Sequence, residues 1–296
     1  MRYGVIDIGS NTIRAVAYEF ENRKAVKVED KLVRSHIPDE IEEERLTPQG
    51  QSRLAVVLNK LVYLLKEVGC KEIGCFSTAS LRGIKNLSEV QTFLYEMAGV
   101  QLDPLSAVRE AEYDFAALRA SVPEHCGIGL DLGGGSCQIL QFEQSRLVQL
   151  QSLEIGSYRM KSRFVKNALP TPEERAKISF FVRNEMMDVH NVYGSRYLYA
   201  MGGTAKAALK LYHVLSNAKQ KDSFLSVQQM EKLIALGDHN PEDVYRRLED
   251  ILKNRAETII PGLTILKTIC EFLETDGAYV LQCSIREGYF MKMCGN

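Results

Sequence analysis

The sequence carries almost no net charge. It has 37 lysine and arginine residues against 38 aspartate and glutamate residues, which leaves a formal net charge of -1 at pH 7. A chain with this balance has no global electrostatic attraction to nucleic acid or to an anionic membrane surface. We therefore expect no nucleic-acid partner and no membrane partner, and a polyanionic ligand would need a local cluster of basic side chains.

The sequence also lacks disulfide, zinc and export signals. Its seven cysteines are odd in number and form no C-x-x-C pair, and its histidines do not recur at zinc-ligand spacing. The N-terminal apolar run is interrupted by Asp7, and the apolar segment 54–65 contains Asn59 and Lys60 and is too short to span a bilayer. These absences predict a soluble, cytoplasmic protein with reduced thiols.

The length of the chain suits two domains. A chain of 296 residues with 45% hydrophobic content can form two domains that each have a core. The polar segment Pro123–His125 predicts the boundary between them. This gives an N-terminal domain of residues 1–124 and a C-terminal domain of residues 125–296, and the last helix could return to pack on the first domain.

Two helices have recognisable boundaries. Thr47 is typical of an N-cap, Pro48 of the first helical position, and Gly69 of a helix end. Near the C-terminus, the pair Pro261–Gly262 precedes an apolar segment. We predict that this apolar segment forms a helix from Leu263 to Leu273.

The most informative stretch is Gly133–Ser136, in which three successive glycines and a serine separate two apolar runs. This pattern predicts a strand, a turn and a second strand. Glycines leave the backbone N–H groups open to an anion such as phosphate. Asp131 would place a carboxylate beside that anion, which requires a divalent cation between the two. An ordinary glycine-rich hairpin would explain this motif equally well if it stood alone.

The same order of residues recurs in the chain. Near the N-terminus, Asp7 ends an apolar run, and a turn with Ser10 and Asn11 precedes a second one. The segment Gly202–Thr204 lies where an apolar strand leads into a helix, whose first N–H groups favour an anion. Three such turns are hard to explain as structure alone, and the two similar hairpins predict two similar halves.

Four segments resemble the exopolyphosphatase and guanosine-pentaphosphate phosphatase (Ppx/GppA) family of the actin, Hsp70 and sugar-kinase superfamily. These segments are Asp7–Arg14, Ser77–Asn86, Asp131–Ser136 and Gly202–Thr204, and the segments Ile259–Gly262 and Ser284–Gly288 add to the likeness. The resemblance covers nearly the whole chain in the family's order. It implies an α/β fold with two actin-like (ribonuclease H-like) lobes around a central phosphate-binding cleft.

The resemblance also implies roles for individual residues. Asp7 and Asp131 would hold Mg²⁺ or another divalent cation. Glu110 would deprotonate the attacking water, and Arg82 would grip phosphate. The phosphate-binding residues would be Ser10, Asn11, Arg14, Gly133, Gly134, Gly135, Ser136, Gly202, Gly203 and Thr204.

This chain departs from the family's pattern at two positions. The family has Ser-Thr-Glu where this chain has Ser136-Cys137-Gln138, so Gln138 replaces the second catalytic carboxylate. An amide can hydrogen-bond water, but it can neither take a proton nor offer a charge to a metal. The acid that precedes the catalytic glutamate in the family is Arg109 here. Family chains often continue into a helical HD-like domain, whereas this sequence stops, as a short form would.

The predicted function is hydrolysis of phosphoanhydrides, with release of terminal phosphate from inorganic polyphosphate or pppGpp. The alternative is a sensor that binds polyphosphate or guanosine polyphosphate with little turnover, because of Gln138 and Arg109. A kinase of the same superfamily is a second alternative, although Ser10-Asn11 and Ser77–Asn86 fit the phosphatases better. The resemblance implies a homodimer, and the short form favours short polyphosphates or nucleotides as substrates.

Overall fold

The computed structural model describes residues 1–21, 24–35, 37–187, 189, 198–216, 222–238 and 240–295. The strands are β1 (Arg2–Ile8), β2 (Thr12–Glu21), β3 (Lys24–Arg34), β4 (Ile41–Glu42), β5 (Arg45–Leu46), β6 (Cys70–Ser77), β7 (Leu102–Pro104), β8 (Gly127–Leu132), β9 (Cys137–Glu143), β10 (Arg146–Leu153), β11 (Leu198–Met201), β12 (Phe224–Ser226) and β13 (Gly277–Val280). The helices are α1 (Pro48–Glu67), α2 (Leu87–Ala98), α3 (Ala107–Arg119), α4 (Ser157–Phe164), α5 (Pro172–Met187), α6 (Gly202–Ser216), α7 (Val227–Ala235), α8 (Pro241–Leu252), α9 (Ala256–Phe272) and α10 (Ile285–Met293). Across these described ranges, no helix is both long and apolar enough to cross a membrane.

The chain forms two compact units. Unit 1 comprises Met1–Ala117 and Ile285–Asn296, and unit 2 comprises Leu118–Ser284. The division therefore falls near the end of α3, whereas the sequence places it between residues 124 and 125. The residues after this division belong to unit 2 because Leu118 packs against Gly129 of β8 and the Arg119 guanidinium donates to Ser145 Oγ at 3.1 Å.

Unit 1 is built on a mixed sheet with the strand order β3-β2-β1-β6-β7. β1, β2 and β3 form an antiparallel meander, while β1, β6 and β7 run parallel. Successive side chains of a strand point to opposite faces. Ile6 and Ile8 of β1 therefore pack in one core with α1 and α2, whereas Val5 packs in a second core on the other face.

The second face of the unit 1 sheet is covered by α10. Phe290 is fully buried there, with its ring 4.9 Å from the Tyr18 ring and 4.6 Å from the Phe20 ring. Aromatic side chains of this size dominate the energetics of a core. This packing places the C-terminal segment in unit 1, far in sequence from the other residues of that unit.

The start of α1 confirms the predicted cap. Thr47 Oγ1 accepts a hydrogen bond from the Gly50 N–H at 3.0 Å, and Pro48 occupies the first position of the helix. Leu54, Leu58, Leu61 and Leu65 of this helix are buried, and the chain turns at Gly69 with a φ of 83°. Local sequence chemistry therefore determines where this helix begins and ends.

Unit 2 repeats the plan of unit 1. Its sheet has the strand order β10-β9-β8-β11-β13-β12. β8, β9 and β10 form an antiparallel meander, and β8, β11 and β13 run parallel. The two predicted hairpins around Asp7 and Asp131 thus occupy equivalent positions, each between the first two strands of its sheet.

The predicted boundary of the last apolar helix is wrong. α9 begins at Ala256 and includes Pro261, instead of beginning at Leu263. A proline inside a helix costs about 3 kcal/mol because one N–H donor is lost. The helix is buried among α4, α5, α6 and α7, and each buried leucine or isoleucine contributes about 1.5–3 kcal/mol. Burial of several such residues outweighs the cost of the proline.

Candidate active site

The turn between β1 and β2 in unit 1 presents unused donors. The Gly9 N–H donates to the Thr12 carbonyl at 3.0 Å and closes the turn. Within the described part of the chain, the Ser10 and Asn11 N–H groups donate to no acceptor, and the buried Asn11 Nδ2 has none either. Unpaired buried donors are costly unless an anion or water accepts from them. Among the described residues, this turn therefore leaves two backbone donors and one side-chain amide donor without an acceptor.

Asp7 lies at the end of β1, directly before this turn, and forms a buried ion pair. Its Oδ2 accepts a hydrogen bond from Arg286 Nη1 of α10 at 2.5 Å. Burial alone would lower the pKa of Arg286, but the neighbouring Asp7, Tyr18 and Glu287 outweigh burial and raise the pKa above its usual value. The carboxylate that the family resemblance assigns to a metal thus pairs with a guanidinium in this structure.

Arg14 lies directly opposite Asp7 in the β1–β2 ladder. Its guanidinium makes two hydrogen bonds to Asp30 of β3, from Nε to Oδ1 at 2.6 Å and from Nη2 to Oδ2 at 2.5 Å. Both side chains are partly exposed. In this structure Arg14 is therefore paired along the sheet, and its predicted contact with phosphate would require it to leave Asp30.

Glu110 and Arg82 come together in unit 1. Glu110 lies in the first turn of α3 and is 5% exposed, and its Oε2 accepts from Arg82 Nη2. Arg82 Nε also donates to the Leu105 carbonyl at 3.4 Å, which ties the guanidinium to the start of α3. A buried carboxylate beside a guanidinium combines a proton acceptor with a phosphate-binding group.

The sequence places Arg109 directly before Glu110, which suggests that it changes the charge around Glu110. In the structure, the Arg109 guanidinium is instead paired with other residues. It forms two hydrogen bonds to Asp103, at 2.7 and 2.8 Å, and a third to the Tyr113 hydroxyl at 3.0 Å. The hydrogen bonds to Asp103 and Tyr113 raise the pKa of Arg109. The charge of Arg109 is thus largely compensated by Asp103.

The loop Gly133–Ser136 in unit 2 is a closed turn whose carbonyls are all engaged. The Gly133 N–H donates to the Ser136 carbonyl at 3.0 Å. The Gly133 and Gly134 carbonyls accept from the N–H groups that begin α4, and the Gly135 carbonyl accepts from Arg159 Nε at 2.9 Å. By contrast, the Gly134 and Gly135 N–H groups find no acceptor among the described residues. This arrangement leaves successive N–H groups for an anion.

Gly156 allows α4 to approach the loop this closely. A Cβ at position 156 would overlap the Gly134 carbonyl group and the Gly135 amide nitrogen. Both contacts are with backbone atoms, which cannot rotate away as a flexible side chain does. The loop therefore depends on the absence of a side chain at Gly156.

Asp131 is the penultimate residue of β8 and lies beside the third glycine turn. Its nearest neighbour in β11 is Met201, and Gly202 follows at the start of α6 with a φ of 83°. A Cβ on Gly202 would overlap Asp131 Oδ1. Glycine is required at position 202 for two reasons, the positive φ and the space that the Asp131 carboxylate takes. This close contact places the Asp131 carboxylate at the N-terminus of α6.

The first turn of α6 carries further groups suited to an anion. The Arg255 guanidinium lies against Gly203, where a Cβ would overlap it. Thr204 Oγ1 donates to Ser157 Oγ at 3.2 Å, which connects α6 to α4. A cation at a helix N-terminus is unfavourable by itself and becomes favourable when an anion binds there.

Gln138 is 1% exposed and is held by two hydroxyl groups. Its Nε2 donates to Ser136 Oγ at 3.0 Å and to Ser152 Oγ at 3.3 Å. In the β8–β9 ladder it lies directly opposite Asp131. The structure therefore places this side chain beside the loop Gly133–Ser136, here called the phosphate loop after its sequence pattern. As an amide, Gln138 cannot act as a base.

The described residues contain no group of three or more histidine, cysteine, aspartate and glutamate side chains that could hold a metal ion. Mg²⁺ commonly uses one or two protein carboxylates and completes its shell with substrate phosphates and water. Asp131 fits that role, since Gly202 leaves room for its carboxylate beside the anion-binding turns.

Sequence reasoning missed two arginines at these turns. Arg286 lies in the segment Ser284–Gly288, and Arg255 lies just before Ile259–Gly262. Both segments contribute to the family likeness, yet neither arginine stands in a glycine turn, so spacing alone gave no reason to place it in the site. The only sequence signal for them is that Arg286 lies within, and Arg255 close to, a segment that resembles the family.

Each unit contains a sheet in which a three-stranded meander is followed by parallel strands, with a glycine or serine turn at the centre of the sheet. These two sheets define an actin-like α/β protein. A sequence profile of the Ppx/GppA phosphatase family matches residues 15–296, and the chain belongs to that family.

Known relatives agree with this assignment. The chain is 22% identical to exopolyphosphatase 1 of Mycobacterium leprae over 99% of the chain and 89% of the relative. It is 21% identical to the guanosine-5'-triphosphate,3'-diphosphate pyrophosphatase of Photobacterium profundum over 98% of the chain and 59% of that longer relative.

Solved structures confirm the fold. An exopolyphosphatase from Cytophaga hutchinsonii superposes with a TM-score of 0.88 at 20% identity, covering 100% of this chain and 98% of the other. A Ppx/GppA family member from Aquifex aeolicus gives a TM-score of 0.83 at 23% identity, covering 99% and 97%. The predicted α/β fold with two actin-like sheets is therefore confirmed.

Proposed function

We propose that the protein is a phosphoanhydride hydrolase that releases terminal phosphate from inorganic polyphosphate or from pppGpp. The observation that carries this proposal is the pair of Glu110 and Arg82, a buried carboxylate in direct contact with a guanidinium. The membership in a phosphatase family supports the reaction class, and named relatives include both an exopolyphosphatase and a pppGpp pyrophosphatase.

The residues of unit 1 would bind phosphate and activate water. Arg82 would donate to oxygens of the transferring phosphate, and Glu110 would orient the attacking water and accept its proton. The donors of the turn at Ser10 and Asn11 would hold further phosphate oxygens. The interactions of Arg82 and of the turn donors would strengthen as negative charge builds on the transferring group, which is the condition for catalysis.

The residues of unit 2 would hold the phosphate chain through their backbone. The donors would be the Gly134 and Gly135 N–H groups, the Ser136 hydroxyl and the first turn of α6 at Gly203 and Thr204. A divalent cation, most simply Mg²⁺, would be held by Asp131 together with substrate oxygens. When bound, such a cation neutralises charge on the transferring phosphate.

The compartment and assembly that we propose are the cytoplasm and a homodimer. All seven cysteines are free thiols, which supports a reducing compartment. The homodimer follows from the family resemblance, and sedimentation of the purified chain would test it. No nucleic acid or membrane is needed as a partner.

Phosphate release tests the proposed hydrolysis. Purified protein with Mg²⁺ would be offered polyphosphates of several lengths and pppGpp in parallel, with Glu110→Gln as the matched blank. General base catalysis contributes about 10²–10⁴-fold, so we expect Glu110→Gln to lower kcat by that factor on the preferred substrate. Equal rates for the two proteins would contradict the role of Glu110.

The alternative function is a sensor that binds these phosphates with little turnover. Gln138 favours it, because its buried amide lies at the phosphate loop and cannot accept a proton. The substitution Gln138→Glu would keep the shape, and the Ser136 and Ser152 hydroxyls can rotate to donate to the carboxylate. Activity that appears only in Gln138→Glu, with tight binding by the natural chain, would favour the sensor.

A further inference from the structure

The ion pair between Asp7 and Arg286 bears on which carboxylate can hold a metal. We propose that the Arg286 guanidinium, rather than a divalent cation, is the counter-ion of Asp7, so that Asp7 is not a ligand of the activating metal. Arg286 is then a positioning residue that fixes Asp7 at the β1–β2 turn. This inference rests on the site of the proposed hydrolase, but it concerns cation binding and does not depend on turnover.

The secondary structure holds both members of the Asp7–Arg286 pair in place. The two side chains are 11% and 13% exposed, and the Nη1–Oδ2 distance is 2.5 Å. Arg286 is the second residue of α10, which is anchored on the sheet by the buried side chains of Ile285 and Phe290. Asp7 is in turn held by its place in the ladder between β2 and β6.

The other carboxylates near Arg286 already have partners of their own. Glu287 accepts from the Tyr18 hydroxyl at 2.8 Å and lies 3.3 Å from Lys27 Nζ. Asp30 is occupied by Arg14. A metal ion on Asp7 Oδ2 would therefore separate the buried Arg286 guanidinium from the carboxylate that it contacts.

Replacement of the Arg286 guanidinium by a metal ion at Asp7 is energetically unfavourable. An arginine cannot lose its proton in a protein, so the charge would remain. Removing one partner of a buried pair is strongly destabilising, because the other charge stays buried and uncompensated. Asp131 of β8 lies beside Gly202 at the start of α6, next to a predicted anion-binding turn. Asp131 is therefore the carboxylate against which Asp7 is compared.

The test measures binding of Mn²⁺ to the full chain by the loss of the electron paramagnetic resonance signal of free Mn²⁺, with imidodiphosphate present as a non-hydrolysable phosphate ligand. Asp7→Asn and Asp131→Asn form a matched pair, since each removes one charge at a strand end. We expect Asp131→Asn to raise the Kd for Mn²⁺ by about tenfold or more and Asp7→Asn to leave it within about twofold. A tenfold loss in Asp7→Asn would overturn the proposal.

Two further variants separate a folding defect from an electrostatic one. Arg286→Gln would free the Asp7 carboxylate and is expected to lower the Kd for Mn²⁺, whereas Arg286→Lys keeps the charge and should bind as the natural chain does. If Asp7→Asn does not fold, the double variant Asp7→Asn/Arg286→Gln replaces the ion pair by two neutral amides and gives the same comparison. Unchanged Mn²⁺ binding in a folded Arg286→Gln protein would count against the proposed competition. A natural chain that binds no Mn²⁺ would agree that Asp7 holds no metal, and would instead contradict the metal of the proposed hydrolase.

Discussion

Substitution of Gly156 by alanine tests whether α4 positions the phosphate loop. The added Cβ would come within 3.0 Å of three backbone atoms of Gly134 and Gly135, a distance that real Cβ atoms essentially never show. To restore an ordinary contact, the loop or the start of α4 must move by roughly 1 Å. A displacement of about 1 Å in a catalytic group can lower the rate about 10²-fold.

The effect on stability should be smaller than the effect on function. Overpacking of this kind costs about 1–3 kcal/mol, and a unit of this size loses about 2–4 °C in Tm per kcal/mol. We therefore expect Gly156→Ala to fold, with a Tm lower by roughly 2–12 °C, and to lose about 10²-fold in kcat/KM for phosphate release.

The matched control is Gly237→Ala in the same unit. Its added Cβ would meet only Arg175 Nη1, at 3.8 Å, which is an ordinary contact. Activity and Tm should be unchanged there. Should the natural chain prove to be a sensor, the Kd for a polyphosphate replaces kcat/KM as the readout. Full function in a folded Gly156→Ala protein would refute the reasoning, because it would show that the loop does not depend on its distance from α4.

Three further predictions concern residues outside the phosphate loop. Arg14→Met should change the free energy of unfolding by no more than about 1 kcal/mol, since its pair with Asp30 is partly exposed; a KM for polyphosphate raised about tenfold would show that Arg14 leaves Asp30 to bind phosphate. Thr47→Ala should cost about 1 kcal/mol in urea unfolding, because the Gly50 N–H loses its capping acceptor; an unchanged midpoint would contradict the cap. Burial raises the pKa of the Cys270 thiol from 9.0 to about 12, so this thiol should resist alkylation at pH 8 while the exposed Cys126 reacts. Rapid labelling of Cys270 in the folded protein would exclude its burial. The unfolded chain releases the Cys270 proton near pH 9 and the folded chain does not, so the free energy of unfolding should fall as the pH rises above 9.

The sequence determined the features that depend on neighbouring residues. Glycine turns after Asp7 and Asp131, the helix start at Gly202 and the cap at Thr47 all follow from local backbone chemistry, and the structure has each of them. Repetition of the same turn in two hairpins also predicted two similar sheets. Local signals suffice here because the allowed φ and ψ values and the first N–H groups of a helix are properties of a few consecutive residues.

Only the tertiary structure decided which charged groups meet. Arg286 and Asp7 are 279 residues apart in the chain, and no spacing rule connects them. Arg14 has the sequence position of a phosphate ligand, yet the neighbouring strand offers it Asp30. Pro261 remains inside α9 because burial against four helices outweighs a lost hydrogen bond. In each case the outcome depends on what packing brings near, and packing sums many contacts from distant segments that a local pattern does not contain.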